Sequence, residues 1–266
     1  MSVFQSFLFA VVSFLASVVG AICGIGGGVI IKPTLDLFGW ASVSTISFLS
    51  GCTVLAMSSY SVGKGLLAHD SPIDLSTGTP LAVGGAVGGI VGKQLFSYVK
   101  AMFVNQNTVG GVQAVCLALI TLLTLLYTVR KDSFHTKHVR SAPVCLVIGL
   151  FLGVMSSFLG IGGGPINLIV LYFFFSMDTK TAAANSLYII FFSQLTSLLA
   201  TLFTHTVPVF APSALILMVA GGIGGGMLGR RINKKIENAV VERLFMTLMI
   251  VIIGISAYNI WRYFSL

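Results

Sequence analysis

Two short stretches carry the groups that could do chemistry in this chain. Residues 20–33 read GAICGIGGGVIIKP, and residues 156–169 read SSFLGIGGGPINLI. Both set the letters GIGGG in apolar surroundings, where each glycine weakens a helix by ~1 kcal/mol relative to alanine. Such runs break a span rather than build one. A helix that restarts after the break points free backbone N–H groups and the positive end of its dipole back at it, and the natural occupant of that place is an anion. Gly24, Gly26, Gly27 and Gly28, with Gly160, Gly162, Gly163 and Gly164, are the candidate binding residues. Gly26–Gly28 and Gly162–Gly164 are expected to use positive φ. Lys32 lies one turn beyond the first break, where it either attracts the anion or snorkels to the interface.

Further polar groups lie in the apolar runs that follow. They are Ser47, Ser50, Thr53, Ser58 and Ser59 after the first break, and Asn185, Ser186, Gln194 and Thr196 after the second. Of these, Ser50, Thr53, Asn185 and Gln194 join the candidate site, together with Pro33, Pro165 and Asn167 beside the breaks. Intramembrane Asn and Gln also bond helix to helix, so that role competes with substrate binding. Asp36 is the one carboxylate placed inside an apolar run, and no residue is assigned to proton coupling.

The elements that must hold these residues follow from composition. Hydrophobic letters make up 56% of the 266 residues and charged ones 8%, against about a quarter charged in soluble domains. With a mean hydropathy of +1.01, the chain reads as an all-α, multi-pass membrane protein of the cell (inner) membrane. The net charge of +8 comes from basic residues at the ends of apolar runs, not from a basic stripe, which excludes nucleic acid as a partner. Cys23, Cys52, Cys116 and Cys145 lie in or beside spans with no C-x-x-C pair, so neither a disulfide framework nor a metal site is expected. No cofactor is implied. The apolar N-terminus lacks a basic leader and runs straight into the first GIGGG, so it is expected to be structure rather than a signal peptide.

The chain repeats itself. At an offset of 136, Gly24, Gly26, Gly27 and Gly28 fall on Gly160, Gly162, Gly163 and Gly164. At 137, GGAVGGIVG (residues 84–92) falls on GGIGGGMLG (residues 221–229). Gly84, Gly88 and Gly92, and Gly221, Gly225 and Gly229, are spaced by four along one helix face, the pattern of close helix packing. Two homologous halves are expected, residues 1–130 and 142–266, each a glycine-broken segment followed by three transmembrane helices. Residues 131–141 form a cytoplasmic linker between them. If each broken segment crosses once, the basic residues other than Lys32 divide six (Lys64, Arg130, Lys131, Lys137, Arg140, Arg262) against eight. If it re-enters or crosses twice, they divide eleven against three (Lys93, Lys100, Arg262). The positive-inside rule favours the second arrangement, which makes the halves inverted copies with both termini outside. The ten residues 29–38 are also too short to span.

The duplicated G-x-G-G-G breaks, with Pro33 after the first and the four-segment layout of each half, resemble the TauE/SafE (sulfite exporter) family over essentially the whole chain. That resemblance implies a transporter of a small anion, sulfite or an organosulfonate, working by alternating access in the lipid bilayer, with the family motif falling on residues 24–28 with Pro33 and on residues 160–164. The second copy departs from the pattern, with Ile169 where proline would recur and Pro165 directly after the glycines. Two other function classes stay open: an anion channel, and a membrane scaffold or assembly protein that transports nothing. A homodimer is the assembly left open. An enzyme is not expected. The Walker-like GGAVGGIVGKQL has Val87 and Gln94 at decisive positions, and Gly224, Gly226 and Gly229 form a G-x-G-x-x-G with no strand before it.

Overall fold

A computed structural model describes residues 3–67, 72–103, 106–131 and 135–265. The linker residues 132–134 lie outside the described residues. In chain order the helices are α1 (Val3–Cys23), α2 (Gly28–Phe38), α3 (Val43–Leu67), α4 (Leu75–Met102), α5 (Gln106–Val129), α6 (Ala142–Leu159), α7 (Pro165–Phe175), α8 (Thr179–Phe203), α9 (Pro212–Lys235) and α10 (Asn238–Ser265). Among the described residues there are no strands, and 8 helices are long and apolar enough to cross a membrane. The two others, α2 and α7, have 11 residues each, about 16 Å at 1.5 Å per residue and half a bilayer.

Glycine stripes hold the helices together, because lipid offers no hydrophobic drive between spans and close backbone approach must supply the attraction. Side chains at Gly84, Gly88 and Gly92 of α4 would collide with the carbonyl oxygens of Leu146, Leu150 and Val154 on α6. Side chains at Gly221, Gly225 and Gly229 of α9 would collide with those of Ala10, Phe14 and Val18 on α1. Each set of targets lies 136 residues from the other, so each half lends its glycine helix to the first helix of the other half. Gly89 packs likewise on α8 at Ser193, and Gly226 on α3 at Met57.

Contacts also show where the short helices lead. The N–H of Lys137 donates to the Phe173 carbonyl (2.7 Å) and that of Val139 to Phe174 (2.9 Å). The residues just before α6 thus lie beside the end of α7. The first pair behaves alike, since Trp40, just after α2, stacks on Phe38 (4.9 Å) and on Phe9 near the start of α1 (6.1 Å). The linker end of the molecule also holds the starts of α8 and α10, where Asn238 donates to Asp178 (3.2 Å) and Lys131 pairs with Glu242. At the opposite end Thr45 bonds the Val209 carbonyl (3.0 Å), and Arg262 bonds the carbonyls of Asp36 (3.0 Å) and Leu37 (2.5 Å).

Candidate functional site

Each break is built by a glycine that ends one helix and a chain that restarts a few residues later. Gly24 (φ 75°) and Gly160 (φ 65°) take the left-handed conformation that closes α1 and α6. The N–H groups of Gly24 and Ile25 turn back to the Gly20 carbonyl (2.9 and 3.1 Å), and that of Ile161 to Ser156 (3.4 Å). From there the copies diverge. In the second, Gly162, Gly163 and Gly164 all have positive φ (76°, 112° and 93°); Pro165 sits at the first helical position and keeps Gly164, its predecessor, out of helix. In the first copy only Gly26 (φ 72°) of the expected three does so. Gly27 has φ −65°, and Gly28 already begins α2.

The two breaks meet backbone to backbone in the middle of the molecule. A Cβ at Gly26 would stand 3.3 Å from the Gly162 carbonyl oxygen, one at Gly28 would strike the Ile161 carbonyl, and one at Gly164 would lie 2.8 Å from Val29. Val54 of α3 and Ile190 of α8 flank the contact at Gly162 and Gly163. The space between the tips is therefore filled by backbone and apolar side chains, and the cavities lie on either side of it.

Toward the linker end, a cavity of about 380 Å³ runs between Ser61, Asp178, Lys180, Thr181, Arg230 and Lys234, with Ala21 and Ala183 at its floor beside Gly24. Asn233 on its wall donates to the Ile22 carbonyl (2.6 Å) and Arg230 to that of Ser61 (3.2 Å). Toward the other end, a small polar cavity of about 30 Å³ is lined by Ser47, Gln113, Ser157, Gly160, Gln194 and Thr201, and is capped by Lys93 and Phe96. The Lys93 ammonium stands 5.3 Å over the Phe96 ring. The same two residues floor an outer cavity of about 280 Å³ that includes Ser97 and Lys100.

The other expected site residues divide. Gln194 lines the small cavity and donates to Ser156 (3.2 Å). Asn167 donates to Ser186 (3.4 Å) near Gly163. Ser50 is fully buried with no hydrogen-bond partner at its hydroxyl. Thr53 turns its hydroxyl to the Leu49 carbonyl of its own helix (2.9 Å), and the Pro33 carbonyl accepts from Asn259 (2.9 Å). Asn185 is not brought to the breaks; it bonds Thr181 (2.9 Å) and Pro72 (3.4 Å) at the linker end. Lys32 neither snorkels nor stands open to solvent. It is 4% exposed and pairs with the equally buried Asp36 at 3.0 Å. Gln113, Lys93, Ser157, Thr201 and Arg230 were not singled out as site residues. Lys93 and Arg230 did leave a signal, since each directly follows the last glycine of its stripe, at the same offset of 137. No group of His, Cys, Asp and Glu among the described residues could hold a metal.

Comparison with known proteins decides the family. The model of the sulfite exporter TauE/SafE family matches residues 9–256, which include both breaks and at least part of each of the eight long helices. The chain belongs to the TauE/SafE family. It is 23% identical over 270 residues to the probable membrane transporter protein YunE of Bacillus subtilis (strain 168), covering 93% of this chain and 95% of that one. No solved structure matches it. Together the TauE/SafE match and this relative support a multi-pass membrane transporter.

Proposed function

We propose that the chain is a secondary transporter of a small anion, sulfite or an organosulfonate, working by alternating access around the paired breaks. The observation that carries this reading is the closed backbone contact between Gly26–Gly28 and Ile161–Gly164, with a cation-bearing cavity on each side of it. Lys180, Arg230 and Lys234, against the single carboxylate of Asp178, line one cavity; Lys93 caps the other. Cations of this kind concentrate anions at both mouths. The wide linker-side cavity and the small capped one correspond to a carrier open on one side. A channel is disfavoured, because a cavity of about 30 Å³ beneath Lys93 and Phe96 offers no continuous path.

In this reading residues 1–130 and 142–266 are inverted repeats. Support comes from α1–α2 and α6–α7, whose ends return to opposite ends of the molecule, and from the eleven-to-three division of basic residues, which puts the linker 131–141 in the cytoplasm. The test is flux of sulfite, methanesulfonate, sulfate and chloride into liposomes holding the purified protein. Uptake of sulfite or the sulfonate above that of chloride is expected. Equal leakage of all four would point to a channel, and no flux of any would remove the proposal.

A further inference from the structure

The pair formed by Lys32 and Asp36 has no counterpart in the other half, where offset 136 gives Leu168 and Tyr172. An ion pair inside a membrane protein is costly to desolvate and adds little stability over an apolar pair, so its presence calls for another role. Its surroundings supply one. Lys32, Asp36, Gln113, Ser256 and Asn259 line a cavity of about 10 Å³ between α2, α5 and α10, the volume of about one water. Asp36 Oδ1, Gln113 Oε1, Ser256 Oγ and Asn259 Oδ1 are all buried, and none accepts a hydrogen bond of ordinary geometry. The Tyr263 hydroxyl contacts the Asp36 carboxylate, and Arg262 is held by the carbonyls of Asp36 and Leu37. Among the described residues, Lys32, Arg262 and Tyr263 are thus the charged or titratable groups facing Asp36. α1 carries no charged side chain, α3 carries only Lys64 at its far end, and α2 meets both through apolar residues such as Phe9, Ile31, Leu35, Ile46 and Leu49.

Lys32 also touches the anion side. Its Cε lies 3.6 Å from where a Gly160 Cβ would stand, and Gly160 and Gln113 line the small polar cavity under Lys93. Gln113 lines both cavities. Lys32 therefore lies between a carboxylate and the small polar cavity that flanks the breaks under Lys93.

The geometry points to Asp36 as the proton-carrying residue of the transporter, coupled to the anion through Lys32. With the pocket empty, the ammonium of Lys32 neutralises Asp36. An anion entering beside Gly160 draws the ammonium to itself. The carboxylate left behind, buried and without its counter-ion, then takes up a proton from bulk solvent, because an uncompensated buried charge is strongly disfavoured. The loaded state holds one ammonium, one anion and one neutral carboxylic acid, and release of the anion returns the proton. One proton moves with each singly charged anion, and the cycle is electroneutral. This inference rests on the anion-transport reading above.

The test is the affinity of the purified protein for methanesulfonate, which stays singly charged at every usable pH, measured by titration calorimetry at several pH values around neutrality. Because binding takes up one proton, affinity should rise about tenfold for each unit by which pH falls. Asp36→Asn should bind with an affinity independent of pH, and Asp36→Glu should keep the slope with a displaced midpoint. If Asp36→Asn does not fold, Lys32→Gln decides, since it removes the cation through which the anion acts on Asp36 and should abolish the slope. A slope retained by Asp36→Asn or Lys32→Gln overturns the assignment, as does a flat wild-type profile or an affinity that follows sodium when choline replaces it at fixed pH. Failure of the wild type to bind or transport any of the test anions would instead overturn the transporter reading itself.

Discussion

The first and second glycine breaks share five letters and the left-handed glycine that closes the preceding helix, yet they part within four residues. After Gly164 the chain has Pro165, Asn167 and then apolar residues to Phe175. After Gly28 it has Lys32, Pro33 and Asp36. The shared part makes the frame: two broken helices whose tips touch. The unshared part carries the charge. A duplicated motif can thus build a symmetric scaffold while one copy alone acquires the ionisable groups, because a single buried pair suffices to couple two events and a second would double the desolvation cost.

Removing the charge from one member of the pair should have the largest effect. Lys32→Met leaves Asp36 without its partner and should lower stability by ~3–5 kcal/mol, read as a fall in melting temperature in detergent. Adding Asp36→Leu should restore most of it. Leu168→Met, at the matching place in the second half, should change stability by less than about 1.5 kcal/mol. Similar losses at Lys32 and Leu168 would break the comparison.

The next effect separates the breaks by backbone shape. Gly163→Ala forces a side chain onto φ 112° and against Ile190, at a cost of ~1–2 kcal/mol for the conformation before the clash is counted. Gly27→Ala keeps φ −65° and brings its Cβ to 3.0 Å from the Ser17 hydroxyl and 3.2 Å from the Ser17 backbone N and Cα, tight but without the conformational strain, so it should cost less than Gly163→Ala, about 1 kcal/mol. Liposome uptake should be lost in the first variant and largely kept in the second; equal losses would mean that the breaks are equivalent in shape.

The cavities sharpen the same contrast through accessibility. In a background without native cysteines, Thr181→Cys on the wide linker-side cavity should react with a polar maleimide at least about tenfold faster than Ser197→Cys in the small capped one, a difference of ~1.4 kcal/mol. His135→Cys and Lys234→Cys should both label from the cytoplasmic face. Labelling from opposite faces would remove the inverted arrangement.

The smallest effect lies at the start of α4, on the linker end. Asp74 caps this helix by accepting from the Ser76 N–H (3.0 Å), and its carboxyl is held below the usual range, chiefly by the Ser76 hydroxyl. A lowered carboxylate contributes stability above its unfolded value and loses it as pH falls through the lowered one. Asp74→Ala should therefore cost ~1 kcal/mol near neutral pH and less in acid, as followed by melting.

Composition and periodicity were enough to read a multi-pass helical membrane protein, two glycine breaks and packing stripes at Gly84–Gly92 and Gly221–Gly229, because those properties are local. Span length follows from bilayer thickness, glycine conformation from its missing Cβ, and close packing from a spacing of four. Partnership was not legible. Sequence placed Lys32 near a helix start but could not say that its fourth neighbour, Asp36, would be buried with it, since that depends on α5 and α10 closing over both. It ranked Asn185 with the site, and folding carried Asn185 to the linker end. It passed over Gln113, which is unremarkable on its own helix and matters only because α5 lays it between two cavities. The sequence by itself determined which segments break and which faces pack, as these are fixed by each residue's own chemistry. Which polar groups share a cavity was decided only when helices from the two halves exchanged partners, because that proximity is a property of three-dimensional packing and not of any stretch of chain.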